Sequence, residues 1–160
     1  MTRIGCTGHQ NLSLVTRRLV AAAIAAVLAT ERDADLVGFT SLAEGADQLF
    51  AFTLLAAGGQ LHAIIPSEHY AEGFQSIEAR KTYISLLDFA TNSTTLHFRT
   101  PSEDAYLAAG HHVADNCDIL LAVWDGKSAA GKGGTADIVG YALDSGRDTR
   151  VIWPAGANRS

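Results

Sequence analysis

The sequence predicts a doubly wound α/β domain, a Rossmann-like parallel sheet with helices on both faces. Two observations carry this expectation. Short apolar runs of strand length alternate with helical stretches along the whole chain. Glycine or small polar residues gather where those runs hand over to the next helix, as βα turns require.

The elements follow in order. Residues 3–7 form a first strand, closed by Gly8, and 13–32 a helix. A second strand spans 36–40. The helix over 43–57 is stopped by the Gly58-Gly59 pair. Residues 61–65 make a third strand, ended by Pro66, and 74–91 a helix. A short strand at 94–98 precedes Pro101 and Ser102, which open a helix over 103–116. Residues 119–124 are the most apolar strand. A glycine-rich loop leads into a helix over 135–144, and 150–153 is the last strand, ended by Pro154. Right-handed crossovers are expected. Strand order should reverse at the first strand, with 36–40 on one side and 119–124 on the other. One domain over 1–154 and a flexible tail over 155–160 complete the plan.

Composition narrows the function. In 160 residues, 48% are hydrophobic and 18% charged, which is globular and not disordered. The net charge of -5, without a Lys/Arg run, argues against polymeric nucleic acid and an anionic membrane as partners. A small anionic ligand remains open, because amides at helix starts hold phosphate without net positive charge. The two cysteines, Cys6 and Cys117, are not a CxxC pair and suit a reduced core in a cytoplasmic protein. No signal peptide is expected, and the alanine-rich stretch 19–28 is too short to span a bilayer.

In a doubly wound sheet, ligands bind beyond the carboxyl ends of the strands at the switch point. Three segments put unusual residues there. The first is Gly5-Cys6-Thr7-Gly8-His9-Gln10, in which Gly5 and Gly8 permit close approach and Thr7 and His9 are polar. Its spacing is not GxGxxG, and a plain βα turn is the competing explanation. The second is Ser41-Leu42-Ala43-Glu44-Gly45-Ala46-Asp47. Ser41 and Glu44 either form a capping box or face a ligand; Gly45 leaves room, and Asp47 meets a ribose hydroxyl or a structural neighbour. The third runs from Trp124, Asp125 and Gly126 to Gly133, Gly134 and Thr135, which enter a helix whose free amides and dipole suit a phosphate. Gly126, Gly131 and Lys132 satisfy GxxxxGK, but Gly133 replaces the Ser or Thr that would hold magnesium, so triphosphate hydrolysis is not expected.

Taken together, Gly5-Cys6-Thr7-Gly8-His9, Ala43-Glu44-Gly45-Ala46-Asp47, and Asp125-Gly126 with Gly133-Gly134-Thr135-Ala136 resemble the SLOG superfamily, which joins Smf/DprA and LOG-like Rossmannoid domains. The resemblance implies a nucleotide pocket between the first βα turn and the Gly-Gly-Thr helix start. It implies either a sensor of nucleotide signals, as in bacterial conflict systems, or a LOG-type N-glycosidase of nucleoside monophosphates. The enzymes carry PGGxGTxxE and an upstream Arg-Lys pair. Here Arg80-Lys81 matches the pair, but Ile138 stands at the glutamate's position and Asp137 one residue early. One residue on a helix turns a side chain by about 100°. Asp137 and Arg80 are therefore catalytic candidates only if the chain is an enzyme; complementing the helix dipole is the competing role of Asp137.

The remaining candidates are weaker. Adjacent His111 and His112 do not face each other on a helix, and neither a metal nor a resident cofactor is expected. No GxSxG elbow is present. Trp124 either packs at a strand end or stacks on a base. The segment 67–81 either covers the pocket, with Arg80 on a phosphate, or is an amphipathic helix pairing Glu78 with Arg80 or Lys81. The main expectation is a binding module for a nucleotide or nucleotide-derived ligand. The alternatives are the N-glycosidase and a structural homo-oligomer packed through the alanine-rich stretch 21–29.

Overall fold

A computed structural model describes residues 1–31, 35–128 and 134–159. Six parallel strands form one sheet in the order β4-β3-β2-β1-β5-β6. The strands are β1 (Thr2–Gly8), β2 (Leu36–Thr40), β3 (Gln60–Ser67), β4 (Asn92–Phe98), β5 (Ile119–Val123) and β6 (Asp148–Ile152). The connecting helices are α1 (Leu14–Thr30), α2 (Ala46–Ala56), α3 (Ile77–Asp88), α4 (Glu103–Asn116) and α5 (Thr135–Asp144). The order reverses at β1, which pairs with β2 through Ile4 against Gly38 and with β5 through Ile4 against Ile119. The expected doubly wound sheet and its switch point are both present.

Side-chain alternation divides the core into two layers. Ile4 and Cys6 of β1 join Ile119, Leu121 and Val123 of β5 beneath Val20, Ile24 and Leu28 of α1 and Phe50 and Leu54 of α2. On the opposite face Phe39, Ile64 and Leu120 meet Val113 of α4 and Ile138 of α5. All five residues of β5 are buried, as a central parallel strand covered on both faces requires. Pro66 lies in β3 where its register with β4 shifts, between Ile65 and Ser67; lacking an N–H, it cannot extend the ladder.

Two helices begin later than the sequence suggests. Helix α2 starts at Ala46, because Leu42 takes a left-handed φ of 59° and Gly45 a φ of 88°. Gly45 is its N-cap and brings no capping side chain, so the capping box expected from Ser41 and Glu44 does not form. Likewise, the helix expected from residue 74 starts at Ile77. A 3₁₀ turn at Tyr70–Gly73 comes first, and the Ser76 hydroxyl accepts from the Ala79 amide to cap α3. Phe74 leaves the helix to pack on Tyr70 and Tyr83, with ring centroids 5.2 and 5.1 Å away.

The stretch after β6, read from sequence as a loose tail, folds back on α1. The Asn158 amide donates to Thr16 Oγ1 at 2.7 Å, and the Thr16 hydroxyl donates to the Asn158 carbonyl at 2.8 Å. Leu12 and Arg159 form an antiparallel bridge. Among the described residues no helix is long and apolar enough to cross a membrane.

Candidate functional site

An open cleft of about 570 Å³ lies over the carboxyl end of the sheet at the β1/β5 switch point. Its lining comes from each surrounding βα connection. Thr7, Gly8 and His9 arrive from the end of β1, Ser41, Glu44 and Asp47 from the β2–α2 turn, and Gly134 and Thr135 from the start of α5. The fold thus brings the three sequence segments to one place.

The close fit of these turns depends on two glycines. A side-chain carbon at Gly8 would lie 2.5 Å from Ala46 Cβ and 2.7 Å from Val123 Cβ. One at Gly45 would lie 2.4 Å from the Gln10 carbonyl oxygen, and φ there is unfavourable for an L side chain. Gly45 therefore seats α2 against the first turn, where the Ala46 amide donates to the His9 carbonyl at 3.1 Å, and it does not line the cleft.

Other predicted site residues also stand outside the lining. Gly5 points to α4: a side chain there would lie 2.8 Å from Val113 Cγ1, so Gly5 lets the helix pack on the strand. Trp124 donates its indole N–H to the Lys127 carbonyl at 2.8 Å and closes the turn after β5. Gly126 supplies that turn's positive φ of 84°. Arg80 and Asp137 are exposed, the first on α3 and the second in the first turn of α5, and neither lines the cleft. Gly131, Lys132 and Gly133 lie outside the described residues.

His9 is the best-buried polar group of the first turn, at 8% exposure. Its Nε2 lies 3.0 Å from the Asp125 amide nitrogen and 3.1 Å from Asp125 Oδ1. A neutral ring accepts from the amide; a proton on Nε2 instead meets the carboxylate, so one proton selects between two contacts of the same residue. Burial, then the charge of Arg159, lowers the His9 pKa and favours the neutral ring, against the pull of Asp125. The Asp125 carboxyl, which does not line the cleft, is held below its ordinary range first by the Lys127 amide, which donates to Oδ1 at 3.0 Å. His9 also packs edge-on against Trp153, with centroids 5.6 Å apart.

Asp47 is the cleft's most perturbed acid. It is 7% exposed, and burial pushes its pKa from 3.8 up to about 7. Hydrogen bonds from the Ala43 amide, the Thr40 hydroxyl and the Ser41 amide pull the other way without cancelling burial. Near neutrality, half of such groups are protonated, so Asp47 can either donate to or accept from a ligand.

The cleft also has an aromatic wall. Tyr70, Phe74 and Tyr106 line the cleft, with Tyr70 buried and 5.2 Å from Phe74 and 6.3 Å from Tyr106. Sequence reasoning grouped Tyr70 and Phe74 with a cover segment but passed over Tyr106, 36 positions beyond Tyr70. It also passed over Asn11, Glu103, Lys127 and Arg159, which line the cleft as well. Helix α5 starts at Gly134 without a capping side chain, and Gly134, Thr135 and Ala136 line the cleft.

No protein-family model matches the chain, and no curated protein matches it in sequence. Solved structures do match its fold. DNA processing protein A of Streptococcus pneumoniae superposes with a TM-score of 0.69 at 17% identity, covering 98% of this chain and 52% of that one. The present chain therefore spans about half the length of that relative. DNA processing protein A of Helicobacter pylori, described by its single-stranded DNA binding mode, gives 0.69 at 16% identity over 99% and 68% of the two chains. The molybdenum cofactor carrier protein of Chlamydomonas reinhardtii gives 0.57 at 15% identity over 94% and 75%.

These likenesses correct one expectation. The net charge of -5 without a Lys/Arg run argues against polymeric nucleic acid, yet a protein with this same fold binds single-stranded DNA. Whole-chain charge therefore does not exclude nucleic acid for a fold of this kind. The chain has the Rossmann-like α/β fold seen in DNA processing protein A and in the molybdenum cofactor carrier protein.

Proposed function

We propose that the chain binds a nucleotide, or a small ligand derived from one, in the cleft at the β1/β5 switch point. The observation that carries this reading is the cleft's mixed lining. The first-turn amides of α5 suit a phosphate. Tyr70, Phe74 and Tyr106 supply flat apolar surface for a base. The Asp47 carboxyl is a partner for ribose hydroxyls. A volume of about 570 Å³ suits a mononucleotide or a somewhat larger ligand. A strand end of single-stranded DNA presents the same chemistry and belongs in the same test. N-glycoside cleavage through Arg80 and Asp137 is not favoured, since neither residue lines the cleft.

The test is a thermal-shift series with AMP, ADP-ribose, NAD, cyclic dinucleotides and a short single-stranded oligonucleotide, with free base followed chromatographically. A ligand at a hundred times its Kd stabilises by about 2.7 kcal/mol, which raises Tm by about 5–10 °C for a domain of this size. Gly134→Val should remove that shift. No shift from any of these ligands on folded protein would overturn the proposal. Base release would convert it from binding to catalysis.

A further inference from the structure

The cleft is lined by a cation from the stretch beyond β6. Arg159 lines the cleft, and its charge is felt by both His9 and Asp125, on the β1–α1 and β5–α5 turns. Among the described residues no carboxylate forms a salt bridge with its guanidinium. The backbone that carries it is fastened in a specific way. Thr16 is completely buried in the first turn of α1, where its hydroxyl also accepts from the Ser13 hydroxyl at 2.9 Å. Its hydroxyl accepts from the Asn158 amide and donates to the Asn158 carbonyl, a reciprocal pair at 2.7 and 2.8 Å. The bridge between Leu12 and Arg159 fixes the next residue across the start of the β1–α1 connection. Asn11, which lines the cleft, adjoins that bridge.

A long, exposed arginine on an untethered stretch would ordinarily sample many positions. Here the two Thr16 hydrogen bonds to the Asn158 backbone and the Leu12 bridge at Arg159 hold this stretch of main chain, so little ordering remains to be done when an anion arrives. A planar guanidinium offers paired N–H donors that match a phosphate's oxygens. Lys127, which also lines the cleft, adds a second cation from the β5–α5 turn.

We propose that Arg159, held over the β1–α1 turn by the buried Thr16 hydroxyl, is an anion-binding residue that contacts the phosphate monoester of the ligand. This rests on the proposed nucleotide reading and adds to it a residue and a positioning device. Thr16 acts through the backbone of Asn158 and is a positioning residue.

The experiment is isothermal titration calorimetry of the full chain with AMP, adenosine and inorganic phosphate, for the wild type, Arg159→Ala, Arg159→Lys and Thr16→Val. Loss of a charge-assisted contact predicts weaker AMP binding by about 10- to 100-fold in Arg159→Ala. Adenosine, which lacks the phosphate, should bind the wild type and Arg159→Ala equally. Arg159→Lys should recover part of the loss, and Thr16→Val should weaken AMP without affecting adenosine. Circular dichroism on each variant confirms that the fold is kept; Arg159 is exposed, so its replacement leaves the core intact. AMP bound equally by wild type and Arg159→Ala would overturn the role of Arg159 while leaving the nucleotide reading standing. Equal weakening of AMP and adenosine would also overturn it. No binding of AMP, adenosine or phosphate to the wild type would overturn both.

Discussion

Replacing Asp47 by asparagine should change how stability depends on pH, and by an amount that burial sets. In the folded protein the acid titrates at about 7, against 3.8 for an ordinary aspartate. Between those values the folded state holds a proton that the unfolded state has released, so stability falls as pH rises. The contribution is fully present below 3.8 and is gone once pH passes well above 7. From pH 5 to pH 8 the loss spans about two pKa units, or about 3 kcal/mol. His9 and His62, whose pKa values burial lowers, act with the opposite sign: their stability contribution is lost as pH falls. Subtracting the Asp47→Asn curve from the wild-type curve cancels both and isolates Asp47. Urea unfolding at pH 5, 6, 7 and 8 measures the difference, and wild type minus variant should decline by about 3 kcal/mol across the range. A difference that stays flat within about 0.5 kcal/mol would mean that water reaches the carboxylate and that the β2–α2 turn is not packed as described.

Further outcomes follow from the same geometry. Gly8→Val drives new carbons into Ala46 and Val123, so unfolding should be easier by about 1–3 kcal/mol; an unchanged Tm would contradict the close approach of β1 to α2. Tyr106→Ala removes one panel of the aromatic wall, and AMP binding should weaken by about 1–3 kcal/mol while inorganic phosphate binding is unchanged; calorimetry that found both affected alike would move the base away from this wall. Tyr70→Ala opens a cavity beneath Phe74, Tyr83 and Tyr106 and should cost about 3–5 kcal/mol in denaturant unfolding. By contrast, Arg3→Ala breaks a pair with Asp118 that is about half exposed and screened by water, so the unfolding midpoint should hardly move; a clear drop would show that the pair also holds β1 to β5.

Much of the fold was legible because it rests on local patterns. The apolar runs 36–40 and 119–124 read directly as strands, and the switch at β1 followed from their places around it. The polar and glycine residues at the ends of β1 and β2 and at the start of α5 were found by the same logic, since Thr7, Gly8, His9, Ser41, Glu44, Asp47, Gly134 and Thr135 all line the cleft. What was missed depends on contacts across the chain. The left-handed Leu42 and the Gly45 turn delay α2, a choice that local propensity does not reveal. Gly5 looks identical to Gly8 in sequence, yet the strand's alternation turns it to the opposite face, toward Val113. Tyr106 reaches the cleft from α4 to meet Tyr70, and Arg159 arrives from beyond β6. The one local trace of that last contact is Thr16, a polar residue at a buried position of α1, which an amphipathic pattern would assign to an apolar side chain.

The central claim is that the β1/β5 cleft holds a phosphate-bearing ligand. A ¹H–¹⁵N NMR titration of the chain with AMP tests it residue by residue. The expected result is saturable shifts in the amides of Thr7 to Asn11, Gly134 to Ala136 and Arg159, with the second cavity at Ala25, Leu36 and Gly59 unmoved. Shifts confined to that second cavity, or none at saturating AMP, would contradict it.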